Sequence, residues 1–109
     1  MITIESYLRS MEATFVPEKC QRTHAVLQYV FTGSQCGVCH AIIGDGTITT
    51  AIGAHPAPSA IVTSDFDLWM RLLAYEQDPL LAYQGGWYQV EGDVTLLMES
   101  DAWFARVPR

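Results

Sequence analysis

The chain is expected to fold as an α+β domain: a five-stranded, mostly antiparallel sheet with its helices packed on one face. Three observations predict this. Alternating apolar runs and helical apolar runs do not interleave as regular strand–helix units; a meander of strands lies between helices instead. Two helical segments carry apolar arcs wider than one sheet contact needs, so they must cover a sheet and something more. The stretch Asp78 to Asp93 holds a helix start, a helix stop, a short strand and a second helix start within a few residues.

The elements follow in order. Thr3-Ile4-Glu5-Ser6 opens a helix with Tyr7, Leu8, Met11 and Phe15 on one side, and Pro17 ends it. A further helical turn is expected over Glu18 to Arg22. His24 to Thr32 alternates, with Ala25, Leu27, Tyr29 and Phe31 facing one way. Its other face is also partly apolar, which places the strand centrally. Val38 to Ile43 is the next strand, Gly44-Asp45-Gly46 a hairpin turn, and Thr47 to Ile52 the third strand. Pro56 and Pro58 bound a loop before a short fourth strand, Ala60 to Thr63. Ser64-Asp65 caps a helix from Phe66 to about Tyr75. Asp78-Pro79 is the cap-then-proline start of a short helix, and Gly85-Gly86 its end. Trp87 to Glu91 alternates as a fifth strand, and Gly92-Asp93 leads into a last helix from Val94 to about Val107.

Composition bounds the function. A chain of 109 residues with half of them apolar makes one domain with an ample core. The net charge is −6, and the six basic residues are scattered, which excludes a nucleic-acid footprint and stable attachment to anionic membranes. The sequence shows no apolar run long enough to span a bilayer and no export signal. Three cysteines, Cys20, Cys36 and Cys39, in that setting point to a reducing cytoplasm; one disulfide plus a free thiol is the other reading.

Several motifs combine into a resemblance. The Gly44-Asp45-Gly46 hairpin, Gly53 after the third strand, the helix behind Ser64-Asp65, and Asp78-Pro79 with Ala82, Gly86, Val90 and Gly92-Asp93 occur in an order and spacing that resemble the sterol carrier protein type two (sterol-transfer) family. The resemblance runs from about Ile4 to Phe104. It implies an apolar tunnel between sheet and helices, and binding or transfer of a fatty acid, acyl thioester, sterol or isoprenoid quinone without chemistry. Family members often carry lysines on the strand that here reads Trp87-Tyr88-Gln89-Val90-Glu91. Lacking those cations, the chain offers a coenzyme A phosphate no charge-assisted partner, which favours a less charged lipid.

The residues expected to line such a pocket are Phe66, Trp69, Met70, Leu73, Leu81, Tyr83, Trp87, Leu97, Met98, Asp101 and Phe104. Aromatic and methionine side chains give an adaptable apolar wall. Asp101 falls on the apolar side of the last helix, where it either rims the pocket or faces solvent. The partner is a small hydrophobic ligand, with a second copy of the chain as a further expectation, because the over-wide helix faces must be covered.

Other constellations are weaker. Cys36-Gly37-Val38-Cys39-His40 spells the attachment motif of c-type haem, but alternating flanks make a strand, not the helix that motif needs. His24 and His40 lie on neighbouring strands, yet a fourth zinc ligand is missing. The chain has no nucleophile elbow. No metal, cofactor or catalytic residue is therefore assigned. The alternative is an enzyme, or an accessory subunit of one, acting on a bulky apolar substrate such as a polyketide or terpenoid, with Asp101, His24 or His40 as acid or base.

Overall fold

A computed structural model describes residues 2–74 and 78–105. Helix α1 (Ile4–Thr14) starts at Thr3, whose hydroxyl accepts from the Ser6 amide while the Ser6 hydroxyl accepts from the Thr3 amide. Its buried stripe is Ile4, Tyr7, Leu8 and Met11. The turn expected next is shorter and earlier, a 3-10 turn over Pro17–Lys19, because proline fixes its first residue.

The strands are β1 (His24–Thr32), β2 (Gly37–Gly44), β3 (Thr47–Ile52), β4 (Ala60–Asp65) and β5 (Gln89–Gly92). They form one sheet in the order β3-β2-β1-β4-β5. The sheet is mixed: β1 and β4 run parallel and the other pairings are antiparallel. The parallel pair follows from the connection after β3, which must carry the chain from one edge across β2 and β1. Asp45 (φ 50°) and Gly46 (φ 78°) make the two-residue turn joining β2 to β3, a geometry matched to strand twist.

The remaining helices are α2 (Phe66–Leu73), α3 (Pro79–Gln84) and α4 (Val94–Ser100). Each has an aspartate cap: Asp65 accepts from the Leu68 amide, Asp78 from those of Leu80 and Leu81, and Asp93 from that of Leu96. Helix α2 ends at Leu73; Tyr75, its expected last residue, lies outside the described residues. The last helix is shorter than its apolar pattern suggests. It ends at Ser100, a 3-10 turn carries Asp101–Trp103, and Phe104 is extended. Tertiary bonds replace the helical ladder there: the Val16 amide donates to the Trp103 carbonyl and the Ala105 amide to that of Thr14, so Phe104 pairs with Phe15. Val107 lies outside the described residues.

The core is the layer between the helices and one sheet face. Ala25, Leu27, Tyr29 and Phe31 of β1 point into it, with Cys39, Ala41 and Ile43 of β2 and Ala60 and Val62 of β4. The opposite face is partly covered by the connection from Gly53 to Ser59. There the His55 amide donates to the buried Gln28 side chain, and Val26 exchanges bonds with Ser59.

Candidate functional site

The layer between sheet and helices is aromatic and nearly continuous. Tyr83 meets Tyr88 at 5.8 Å between ring centroids, Tyr88 meets Trp69 at 5.4 Å, and Trp69 meets Tyr29 at 5.9 Å. Tyr29 then contacts Tyr7 and Phe31, and Phe31 meets Phe66 edge-on at 5.0 Å. These rings come from α1, β1, α2, α3 and the segment before β5. Alternation on β1 aims Tyr29 and Phe31 the same way, and helical spacing aims Phe66 and Trp69 back at them. Offset and edge-on contacts of this kind add cohesion beyond area burial.

A polar thread runs through the layer. The Trp69 indole N–H donates to the Tyr7 hydroxyl at 3.1 Å, and Tyr7 is hydrogen-bonded to Tyr29. Burial pushes the Tyr29 phenol well above its ordinary range, helped by the neighbouring Tyr7. Burial likewise pushes Tyr88 up to about 12 and Cys39 up to about 12. The layer therefore holds neutral hydroxyls that can meet an uncharged polar group, and it disfavours a buried charge.

At the Phe66 end the layer reaches the surface. A cavity of about 390 Å³ opens there, lined by Ile2, Ser34, Gln35, Phe66, Asp67, Met70 and Arg71. Ser34 donates to Asp67 across its rim.

The residues nominated from sequence divide into groups. Phe66, Trp69 and Leu97 are buried in the core, and Tyr83 joins the aromatic run. Met70, Leu73 and Phe104 are half-buried against the core, and Met70 also lines the cavity. Met98 is half-buried. Leu81 (65% exposed), Trp87 (53% exposed) and Asp101 lie at the surface. Sequence reasoning did not nominate Tyr7, Tyr29, Phe31 or Tyr88. The signal for Tyr88 lay in strand parity: Val90 pairs with the inward Val62, so Tyr88 shares its face, while Trp87 shares that of Gln89 and Glu91.

None of the three acid–base nominees enters the aromatic layer. His24 sits at the surface, 3.1 Å from Asp45. His40 is on the far sheet face, where its Nδ1 meets the Gly53 carbonyl at 2.8 Å, and its ring packs on His55 rather than on His24. Asp101 is exposed. Cys36 is exposed in the turn before β2, while Cys20 and Cys39 are buried, and all three are free thiols. Among the described residues no cluster of three or more His, Cys, Asp or Glu is placed to hold a metal ion. Among them, too, no helix is long and apolar enough to cross a membrane.

No family model matches the chain, and no curated protein matches it by sequence. Solved structures do match. The palmitated SCP2L2 protein of Aedes aegypti superposes with a TM-score of 0.70 at 15% identity, covering 93% of each chain. The ubiquinone synthesis protein UbiJ-SCP2 gives 0.68 at 13% identity, covering 89% of this chain and 86% of that one. The stereoselective inverting sec-alkylsulfatase Pisa1 from Pseudomonas sp. gives 0.89 at 17% identity. That match covers 98% of this chain but only 17% of the sulfatase chain. The chain has the α+β fold of sterol carrier protein 2.

Proposed function

We propose that the protein binds an apolar lipid or alkyl chain in the layer between sheet and helices, and that it carries the chain without altering it. The observation behind this reading is the aromatic run from Tyr83 to Phe66, which occupies the layer and ends at the cavity beside Met70 and Arg71. It coincides with the fold of a protein whose structure was solved palmitated. An apolar wall alone is enough: burying a sixteen-carbon chain is worth of order 10 kcal/mol before entropic costs. The neutral phenols favour an uncharged ligand such as a sterol, a quinone or a protonated fatty acid. A reducing, cytoplasmic setting, supported by the three free thiols, belongs to this proposal.

The match to the alkylsulfatase favours a second reading. There the same fold is a small part of a larger enzyme, so this chain would hold the apolar end of an amphiphile for a separate catalytic protein. Both readings predict co-purified lipid by native mass spectrometry of the purified protein. Both are refuted if delipidated protein binds no fatty acid, sterol, quinone or alkyl sulfate. The second alone predicts that the chain, added in trans, lowers the KM of a sulfatase that lacks this domain.

A further inference from the structure

The two edges of the sheet are built differently. Strand β5 covers only Gln89–Gly92, carries Glu91, and runs directly into Asp93. It is short and charged, which are the usual protections against edge pairing. Strand β3 at the other edge has neither protection. Residues 46–54 contain no charge and no proline, in a chain of net charge −6. Its residues Thr47–Ile52 are β-branched apart from Ala51. Ile52 is 58% exposed at its end.

The direction of the free backbone groups follows from the hairpin. A two-residue turn closes on a hydrogen-bonded pair, Gly44 and Thr47, so Thr47, Thr49 and Ala51 address β2. The Gly53 amide continues this parity, donating to the Val38 carbonyl at 2.7 Å. Ile48, Thr50 and Ile52 therefore turn their N–H and C=O groups outward. A second copy, running antiparallel about a two-fold axis at Thr50, would place its Ile52 opposite Ile48 and its Ile48 opposite Ile52. Opposed residues share a face, so these side chains lie on the helix-covered side, where Ile48 already packs against the core. The exposed Ile52 would be covered by continuation of that core. Shifting the axis to Thr49 leaves Ile52 opposite a glycine, Gly46, and loses this cover.

We infer that the β3 edge is a self-association surface, on which two copies pair antiparallel through Ile48, Thr50 and Ile52 into one continuous sheet. One group opposes it. Glu12 of α1 accepts a hydrogen bond from the Thr50 hydroxyl, so the axis brings two carboxylates near each other. Association is thereby weak at neutral pH and low salt, and it strengthens with screening.

Sedimentation across a wide concentration range, with amide hydrogen exchange on the same samples, tests this. The expected result is a mass rising toward the dimer. Concentration-dependent protection appears at the Ile48, Thr50 and Ile52 amides, while Thr49 and Ala51 are protected at every concentration. Ile52→Lys places a charge on an exposed side chain, and it weakens association by roughly tenfold with the thermal midpoint retained. Glu12→Gln tightens association by about two- to fivefold. A monomer at every concentration overturns the inference. So does association unchanged in Ile52→Lys, or new protection confined to another surface such as Leu80 to Trp87.

Discussion

Removing one oxygen tests whether the polar thread in the aromatic layer holds the fold together. In Tyr7→Phe the ring contacts with Tyr29 and Phe31 persist, but the Trp69 indole N–H loses its acceptor and Tyr29 loses its hydrogen-bond partner. Tyr7 is 6% exposed and Trp69 8%, so water does not easily replace the missing oxygen. An exposed hydroxyl would cost a few tenths of a kcal/mol; a buried donor left unpaired costs about 1–3 kcal/mol. The expected loss is therefore about 2 kcal/mol, toward the upper end if Tyr29 stays unpaired. Urea unfolding should show a lower midpoint with an unchanged slope, because the surface exposed on unfolding is the same. In a double-mutant cycle Trp69→Phe and Tyr7→Phe should be less than additive, since the double variant has no orphaned donor. A loss below about 0.5 kcal/mol in Tyr7→Phe would mean that water or a rearranged partner reaches the indole, and that the layer is not closed.

Stability should fall in alkali. Tyr29, Tyr88 and Cys39 all have folded pKa values raised by burial, so above the unfolded values of 9.0 for the thiol and 10.0 for the phenols the unfolded chain binds fewer protons. Their contribution is complete below about pH 9, and for Cys39 and Tyr88 it is lost as pH rises toward about 12; for Cys39 the slope is up to about 1.4 kcal/mol per pH unit, read by urea midpoints from pH 8 to 11. Gly92→Ala should destabilise by about 2 kcal/mol or more, because the residue has φ 87° and an added Cβ would lie 2.5 Å from the Ser59 carbonyl oxygen that the Asp93 amide uses; thermal melting checks this. With a disulfide reagent one thiol, Cys36, should react quickly in the native protein, and Cys20 and Cys39 only on unfolding; two fast thiols would contradict their burial.

Much of the fold was legible in local chemistry. Strand β3 was bounded correctly by the Asp45-Gly46 turn and Gly53, and the starts of α2, α3 and α4 by Asp65, Asp78 and Asp93. What was not legible depended on distant partners. The last helix stops early because Thr14 and Val16 capture the backbone of Trp103 and Ala105, which no pattern within the helix encodes. The parallel pairing of β1 with β4 is likewise set by a crossover over other strands. The site shows the same division. Helical spacing turns Phe66 and Trp69 inward, as the structure has them, whereas Trp87, expected in the pocket wall, is exposed and its neighbour Tyr88 is the buried ring beside Trp69. Spacing puts Tyr7 and Tyr29 on inward faces, but only the fold brings the Tyr7 hydroxyl to both the Trp69 indole and Tyr29.

The filled layer constrains how any lipid could enter it. A chain lying along the aromatic run must displace some of its rings, and re-exposing a buried aromatic side chain costs about 1.5–3 kcal/mol. Against a gain of order 10 kcal/mol for a sixteen-carbon chain, displacing roughly three to six rings would use up the whole gain, and fewer once the entropic cost of association is counted. The Phe66 end is the cheapest point of access, because Met70 is half-buried there and unbranched side chains reshape easily. The Trp69–Tyr7–Tyr29 thread is costlier to open, since displaced hydroxyls and indole must find new partners. A ligand carrying one acceptor, such as a sterol hydroxyl or a quinone carbonyl, would supply such a partner; a plain hydrocarbon would not. If the layer binds lipid as proposed, the same thread that closes it would select for lipids with a single uncharged polar group.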